Sequence, residues 1–396
     1  MNKRSLLTRM DAVQSPVIPL VGKLIAENPG TISLGQGIAF YPPPPQILTA
    51  IATSFEDVTN HQYKSVQGIP SLQTAIAAKL AQDNQITIEA SQNAVMVTAG
   101  ANMGFLNAIL AITSPGDEII LNTPYYFNHE MAIRMVGCQP ICVPTNSCYQ
   151  LQPEAIAAAI TPRTRAIVTI SPNNPTGAVY PAQTLQEINQ LCQVQGLYHI
   201  SDEAYEYFTY DGVQHFSPAS LPHSAAHTIS LFSLSKSYGM AGWRIGYMVI
   251  PQSLLLAVQK IQDTNLICPP VVGQYAAIAA LEAGSAYCQQ FLPEITHSRH
   301  TLLTALGKIS DLCDWVITEG AFYNFIKVHL PYPDLEIVQR LIREHQVAVL
   351  LGSTFGMKEG CYLRIAYGAL HQENVTTGTE RLIQGLRILS QARNGS

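Results

Sequence analysis

From about Ala94 to Val249 short apolar runs alternate with longer amphipathic stretches. The runs AVMVTAG, DEIILN, QPICVP, RAIVTIS, LYHISD, HTISLFS and RIGYMVI read as strands, and the stretches after Gly100, Tyr126, Pro153 and Pro181 read as helices. Apolar strands joined by helical crossovers predict a largely parallel sheet covered by helices on both faces. Such sheets bind ligands outside the carboxyl ends of their strands, so the informative side chains are expected just after the strand-like runs.

Beyond about Gly284 the rhythm changes. A long helical stretch through THSRHTLLTALGKI is followed by shorter strands at FYNFIKV, VAVLLG and YLRIAYG, and by a last helix from about Glu373 to Ala392. The pattern predicts an α/β protein with a large domain, residues 46–284, and a smaller α/β domain, residues 285–396. An N-terminal arm, residues 1–45, is expected to join the smaller domain. The four prolines of YPPPPQ, Tyr41 to Gln46, force an extended joint between the arm and the large domain.

Composition narrows the partners. Charged residues are 12% of the 396 and apolar residues 47%, a surface so poor in charge that part of it is expected to be covered by a second copy of the chain. The net charge of -5, with no polybasic run, argues against nucleic acid. No apolar segment reaches the ~20 residues of a membrane span, and the start lacks the apolar core of a signal peptide, so a cytoplasmic protein is expected. Eight scattered cysteines without a C-x-x-C pair predict no disulfide framework and no metal site. Cys138, Cys142 and Cys148 read as buried reduced thiols on or near a strand.

Chemistry concentrates in SLSKSYGMAGWRIG. Lys236 is one of nine lysines, and it alone is surrounded by small residues and hydroxyls: Ser233, Ser235, Ser237, Gly239 and Gly242. Just after an apolar strand its amine would be partly desolvated, which lowers its pKa and frees a nucleophile able to form a Schiff base. An ordinary loop lysine stays open as the plainer reading. SPNNPTG aims the amides of Asn173 and Asn174 from a turn, and SDEAYEYF puts Asp202 and Tyr205 at a strand end. Read alone, the SDE carboxylates would more often be a helix cap and its solvated neighbour. Gly100, in VTAGANMGF, opens a helix whose free N–H groups could bind an anion. Together these meet the needs of a pyridoxal phosphate enzyme: a lysine, an acid for the pyridine nitrogen, donors for the ring hydroxyl, an aromatic face and a phosphate cradle.

With PNNPTG, SDEAY and YLRIAYG in order around that lysine segment, the chain resembles a class I/II aminotransferase of the fold-type I pyridoxal phosphate family, over nearly its whole length. The resemblance implies that Lys236 holds the cofactor as an aldimine and later shuttles the substrate proton, while Asp202 keeps the pyridine nitrogen protonated. It implies that Tyr205 and Asn174 donate to the ring hydroxyl, that Tyr126 stacks on the ring, and that Arg244 and Ser233 hold the phosphate with the amides of Ala101 and Asn102 after Gly100. Arg364 would grip the substrate carboxylate, with the backbone of Gly37 against it. Tyr63 would reach the cofactor phosphate of a neighbouring subunit, making an obligatory homodimer with shared sites.

Three departures bear on specificity. Tyr126 stands where many relatives stack a tryptophan, Asn102 where some aspartate-using relatives carry a lysine, and IAFYPPPP replaces a more common Pro-Asp-Phe loop. Neutral or aromatic amino donors are therefore expected over aspartate, with Tyr126, Phe40 and Tyr41 flanking an apolar pocket. The same motifs would also suit a C–S β-elimination lyase or a decarboxylating relative. SLSK could alternatively be the Ser-x-x-Lys of a serine hydrolase, but no Lys-Thr-Gly partner exists in the chain. A non-catalytic regulator of this fold is not expected: the family's regulators usually carry an added DNA-binding domain, and the 32 residues ahead of the segment SLGQGIAF are too few for one.

Overall fold

The computed structural model describes residues 8–391. Its N-terminal segment carries a helix, Val17–Glu27, and a two-residue strand, β1 (Ile32–Ser33). Seven strands come next: β2 (Asn93–Thr98), β3 (Glu118–Thr123), β4 (Gln139–Pro144), β5 (Thr164–Ile170), β6 (Tyr198–Asp202), β7 (Thr228–Ser233) and β8 (Gly246–Pro251). They form one sheet in the order β2-β8-β7-β6-β5-β3-β4, and each of the seven predicted runs supplies one strand. Neighbours among β3 to β7 pair in parallel, and β8 runs antiparallel to both β2 and β7.

These strands are apolar throughout because both faces are covered. On β2, Ala94 and Met96 pack into the cluster around the helix Ala101–Ile112, and Val95 and Val97 pack on the opposite face with Leu72, Ile76 and Leu80. Tyr247 and Val249 alternate with Met248 and Ile250 on β8 in the same way. Period-two alternation with apolar residues at both phases is the pattern of a sheet sandwiched between helices.

The second sheet is antiparallel, with β9 (Cys313–Asp314), β10 (Tyr323–Val328), β12 (Leu350–Leu351) and β13 (Cys361–Ala366) in the order β12-β13-β10-β9. The run VAVLLG, expected as one strand, divides: β11 (Val347–Ala348) pairs in parallel with β1, and β12 pairs with β13. The N-terminal segment is thereby tied to the C-terminal part, and the Ala366 N–H also donates to the Leu34 carbonyl at 2.7 Å. The helices Leu292–Gly307, Asp334–His345 and Gln372–Gln391 flank this smaller unit. The predicted end of the last helix, Ala392, lies outside the described residues.

Two local expectations need correction. Pro42 to Pro44 are non-helical, but Pro45 has helical dihedrals and caps the helix Gln46–Ser54. Cys138 is buried as expected, whereas Cys142 is exposed because β4 is the edge strand of its sheet, and Cys148 is exposed in the turn that follows β4. All eight thiols are free, and no cluster of metal-ligating side chains occurs among the described residues.

Candidate active site

A cavity of about 530 Å³ opens at the carboxyl edge of the large sheet, where Arg364 of β13 faces it. The connection from β7 to β8 builds one wall. β7 ends at Ser233, whose hydroxyl caps a single helical turn, Leu234–Ser237, by accepting the Ser235 N–H at 3.1 Å. Because β8 returns antiparallel from Gly246, the intervening residues never leave this sheet edge. Lys236 and Arg244 therefore line the same cavity.

Arg244 has φ 53° and ψ 57°, a left-handed conformation costing a non-glycine residue about 1 kcal/mol. Its Nη1 donates to the Ala241 carbonyl at 2.9 Å, and it makes no ion pair with a carboxylate among the described residues. The guanidinium lies over Gly100, where φ is 82° and a Cβ would come within 2.6 Å of Nη2. Gly100 begins the helix Ala101–Ile112, so first-turn amides without intrahelical partners and a free guanidinium share this end of the cavity.

Lys236 is half-buried, and its Nζ donates to the Gly37 carbonyl at 2.5 Å. Burial pushes its pKa down to about 8, helped by the positive charges of Arg364 and Arg244 and opposed by Asp202. Asp202 ends β6 and is buried; its Oδ1 accepts the Ala204 N–H at 3.1 Å, and its Oδ2 lies 3.2 Å from His129 Nε2. His129, which the sequence reading missed, is stacked on Phe105 at 3.9 Å and so stands fixed behind the carboxylate.

Tyr205, three residues past Asp202, is buried, and its hydroxyl meets that of Tyr323 at 2.6 Å. Burial raises both phenols, Tyr205 well above its ordinary range and Tyr323 to about 12, so both are neutral and one donates to the other. Tyr323 was also missed; its only sequence signal was an inward phase on the run FYNFIKV, shared with Phe325. Tyr126 also lines the cavity, its phenol raised by burial and its hydroxyl accepting from Asn128 Nδ2 at 2.9 Å.

Arg364 is buried and reaches into the cavity from β13. Its Nη1 donates to Asn174 Oδ1 at 2.9 Å, its Nη2 donates to the Gly35 carbonyl at 2.6 Å, and its Nε has no partner. The guanidinium sits 4.4 Å from the Tyr323 ring centroid and 5.1 Å from that of Phe355, which fixes its plane.

Gly37, Ala101, Asn102, Tyr126, Asn174, Asp202, Tyr205, Ser233, Lys236, Arg244 and Arg364 thus line one cavity, with Gly100 directly behind Arg244. Tyr63 does not line it and is 77% exposed. Phe40 and Tyr41, expected to flank the site, do not line it either: Tyr41 is buried and stacks on Phe291 with ring centroids 4.0 Å apart. The apolar lining includes Pro16, Ile18, Ile38, Phe127 and Ile170.

Residues 29–382 match the family model described as aminotransferase class I and II. An aromatic aminotransferase, ISS1, of Arabidopsis thaliana is 31% identical, covering 98% of this chain and 97% of its own. A probable aspartate/prephenate aminotransferase of Aquifex aeolicus is 33% identical, over 98% and 99%. Aspartate aminotransferase of Thermus thermophilus, solved with maleate, superposes with a TM-score of 0.88 at 29% identity, over 97% of this chain and all of that one. The chain therefore belongs to the class I and II aminotransferases, a pyridoxal-phosphate-dependent family of fold type I, and is an aminotransferase.

Proposed function

We propose that the chain moves the amino group of a neutral or aromatic L-amino acid to a 2-oxo acid, with pyridoxal 5'-phosphate held by Lys236. The observation that carries this reading is the convergence of a depressed lysine amine, a buried carboxylate and a buried arginine on one cavity. The residues fit the cofactor. Arg244, free of carboxylates, and the first-turn amides at Ala101 and Asn102 suit its phosphate, with the Ser233 hydroxyl beside them. Asp202, backed by His129, suits the pyridine nitrogen; Tyr205 and Asn174 suit the ring hydroxyl, and Tyr126 a ring face. When bound, the group supplies an electron sink for the pair left at the substrate Cα.

The protein's own residues supply the rest. Arg364 would exchange its bonds to Asn174 and Gly35 for a bidentate grip on the substrate carboxylate, with its partnerless Nε as a further donor. The amine of Lys236, poised near neutrality, would take the proton from the substrate Cα and return it. Gly37, whose carbonyl holds that amine, would place its backbone against the same carboxylate.

The donor preference rests on charge. Among the described residues, Lys236, Arg244 and Arg364 are the only cations lining the cavity, and all three have roles without a second substrate carboxylate. Ile18, Ile38 and Phe127 would face the side chain instead. Tyr63, exposed and absent from the lining of its own cavity, is assigned to the site of a second copy in a homodimer. Residues 1–45 with 285–396, and 46–284, are proposed as the two bodies around the cavity. The free thiols fit the reducing cytoplasm, where we place the protein.

The test is a panel of amino donors on the purified holoenzyme with 2-oxo acid acceptors. Phenylalanine, tyrosine and methionine are expected to turn over faster than aspartate. Release of ammonia and pyruvate from cysteine conjugates, with no amino acid aminating the cofactor, would instead establish a β-elimination lyase.

A further inference from the structure

The loop from Gly37 to Pro42 touches the reactive lysine twice. Its Gly37 carbonyl accepts from Lys236 Nζ at 2.5 Å, and the Tyr41 hydroxyl donates to the backbone carbonyl of Lys236 at 2.9 Å. We propose that Tyr41 is a positioning residue for Lys236, its hydroxyl pinning the lysine's backbone so that the amine stands at one place in the cavity. The inference rests on the reading of Lys236 as the reacting amine.

The lysine turn needs such a support. Leu234–Ser237 is a single turn of four residues, too short to be stable alone, and the carbonyls at its end have no following turn to satisfy them. The Gly239 N–H reaches the Lys236 carbonyl only at 3.3 Å. The Tyr41 hydroxyl makes the shorter bond there, with the Ser237 carbonyl at 3.2 Å and Cys288 Sγ at 3.4 Å. The phenol is 3% exposed and burial raises its pKa, so it remains a donor throughout the working range of pH.

The pin is anchored by its own ring, which stacks on Phe291 at 4.0 Å with planes 6° apart. The Tyr287 hydroxyl bonds the next residue of the loop, donating to the Pro42 carbonyl at 2.6 Å, and touches neither the Tyr41 hydroxyl nor Lys236. At Gly239, where φ is 63°, a Cβ would come within 2.5 Å of the Tyr41 carbonyl, so the loop lies directly on the lysine turn. Tyr41 therefore joins the N-terminal loop, the lysine turn and the residues just past 284. Without its hydroxyl the lysine backbone is free to shift, and its amine moves outward from Arg364, Arg244 and Asp202, the charged groups that face it.

Tyr41→Phe keeps the ring stack and removes only this bond. Tyr287→Phe is the control: it removes a hydroxyl that bonds the same loop, at the Pro42 carbonyl, without touching Lys236. In the full chain stripped of cofactor, the pH dependence of Lys236 acylation by an amine reagent, read by mass spectrometry, gives the amine's midpoint, expected near pH 8 in the parent. Tyr41→Phe is expected to raise that midpoint toward the free-lysine value and, with cofactor restored, to lower kcat about tenfold at little change in KM. Tyr287→Phe should keep the parent midpoint even where it loses stability. A parent midpoint in Tyr41→Phe overturns the inference, as does an equal shift in Tyr287→Phe. A parent that titrates as stated but gives no borohydride-sensitive visible band with pyridoxal phosphate instead removes the reading of Lys236 as the reacting amine, while the midpoints still decide the pin.

Discussion

Arg364 and Asn174, 190 residues apart, meet at 2.9 Å through Nη1 and Oδ1. One side chain comes from β13 of the small sheet and the other from the turn after β5 of the large one. The bond closes the cavity floor between the two sheets and presents the guanidinium edge that a carboxylate would take.

Arg364→Lys removes the planar fork and keeps the charge. A lysine head cannot bond a carboxylate in two parallel contacts, and at a buried site the loss is about 2–3 kcal/mol. KM for every amino donor is expected to rise about 50- to 100-fold, with the cofactor's visible band unchanged. Steady-state kinetics across several donors checks this; a KM rise confined to one side-chain class would contradict the carboxylate role.

Lys236 makes a prediction for stability as well as for activity. Burial holds its pKa down to about 8, whereas a lysine in the unfolded chain titrates near ~10.4. Between those values the unfolded chain binds a proton that the folded chain does not, so stability rises with pH across that window. Below about pH 8 both states are protonated and the cost of burying the charge is present in full. In cofactor-free protein, the urea midpoint is expected to climb from pH 8 to 10 relative to Lys236→Met, which lacks the amine. Parallel pH curves for the two proteins would refute the depressed value.

Much of this site was legible in the chain because its chemistry is written in short segments. Lys236 and Arg244 lie eight positions apart on one strand connection, and Asp202 and Tyr205 lie within one turn of a strand end. The seven strands were legible because sheets covered on both faces need apolar residues at both phases. What escaped was set by tertiary contact alone. His129 sits in a helix with no periodicity of its own to mark it, and it matters only because Phe105 holds it against Asp202. Tyr41 looked like pocket lining because it is aromatic and near Gly37, yet its ring turns inward onto Phe291. VAVLLG divides because Val347–Ala348 find β1 while Leu350–Leu351 find β13, a choice invisible in an unbroken apolar run.

Tyr63 is testable by mixing. Each of Lys236→Ala and Tyr63→Ala should impair every site in its own homodimer. In a hybrid dimer with shared sites, one site carries both substitutions and the other neither. Co-refolding equal amounts should therefore recover up to about a quarter of parental activity, set by random pairing of two subunits. No recovery above the sum of the separate variants would place Tyr63 outside the site.

Asn102→Lys asks whether the missing cation is what disfavours aspartate. Asn102 stands in the first turn of the helix that opens at Gly100, and it lines the same cavity as Arg364. An ammonium introduced there would offer a dicarboxylate donor a second ion pair in a partly desolvated site, worth about 1–2 kcal/mol. It would also leave an uncompensated charge facing the side chain of an aromatic donor. The ratio of kcat/KM for aspartate over phenylalanine is expected to rise at least tenfold, most of it through the aspartate KM. Because the new cation lies beside Arg244, cofactor affinity is measured alongside by the visible band. An unchanged ratio with normal cofactor binding would mean that the shape of the cavity around Ile18, Ile38 and Phe127, and not charge, sets the donor.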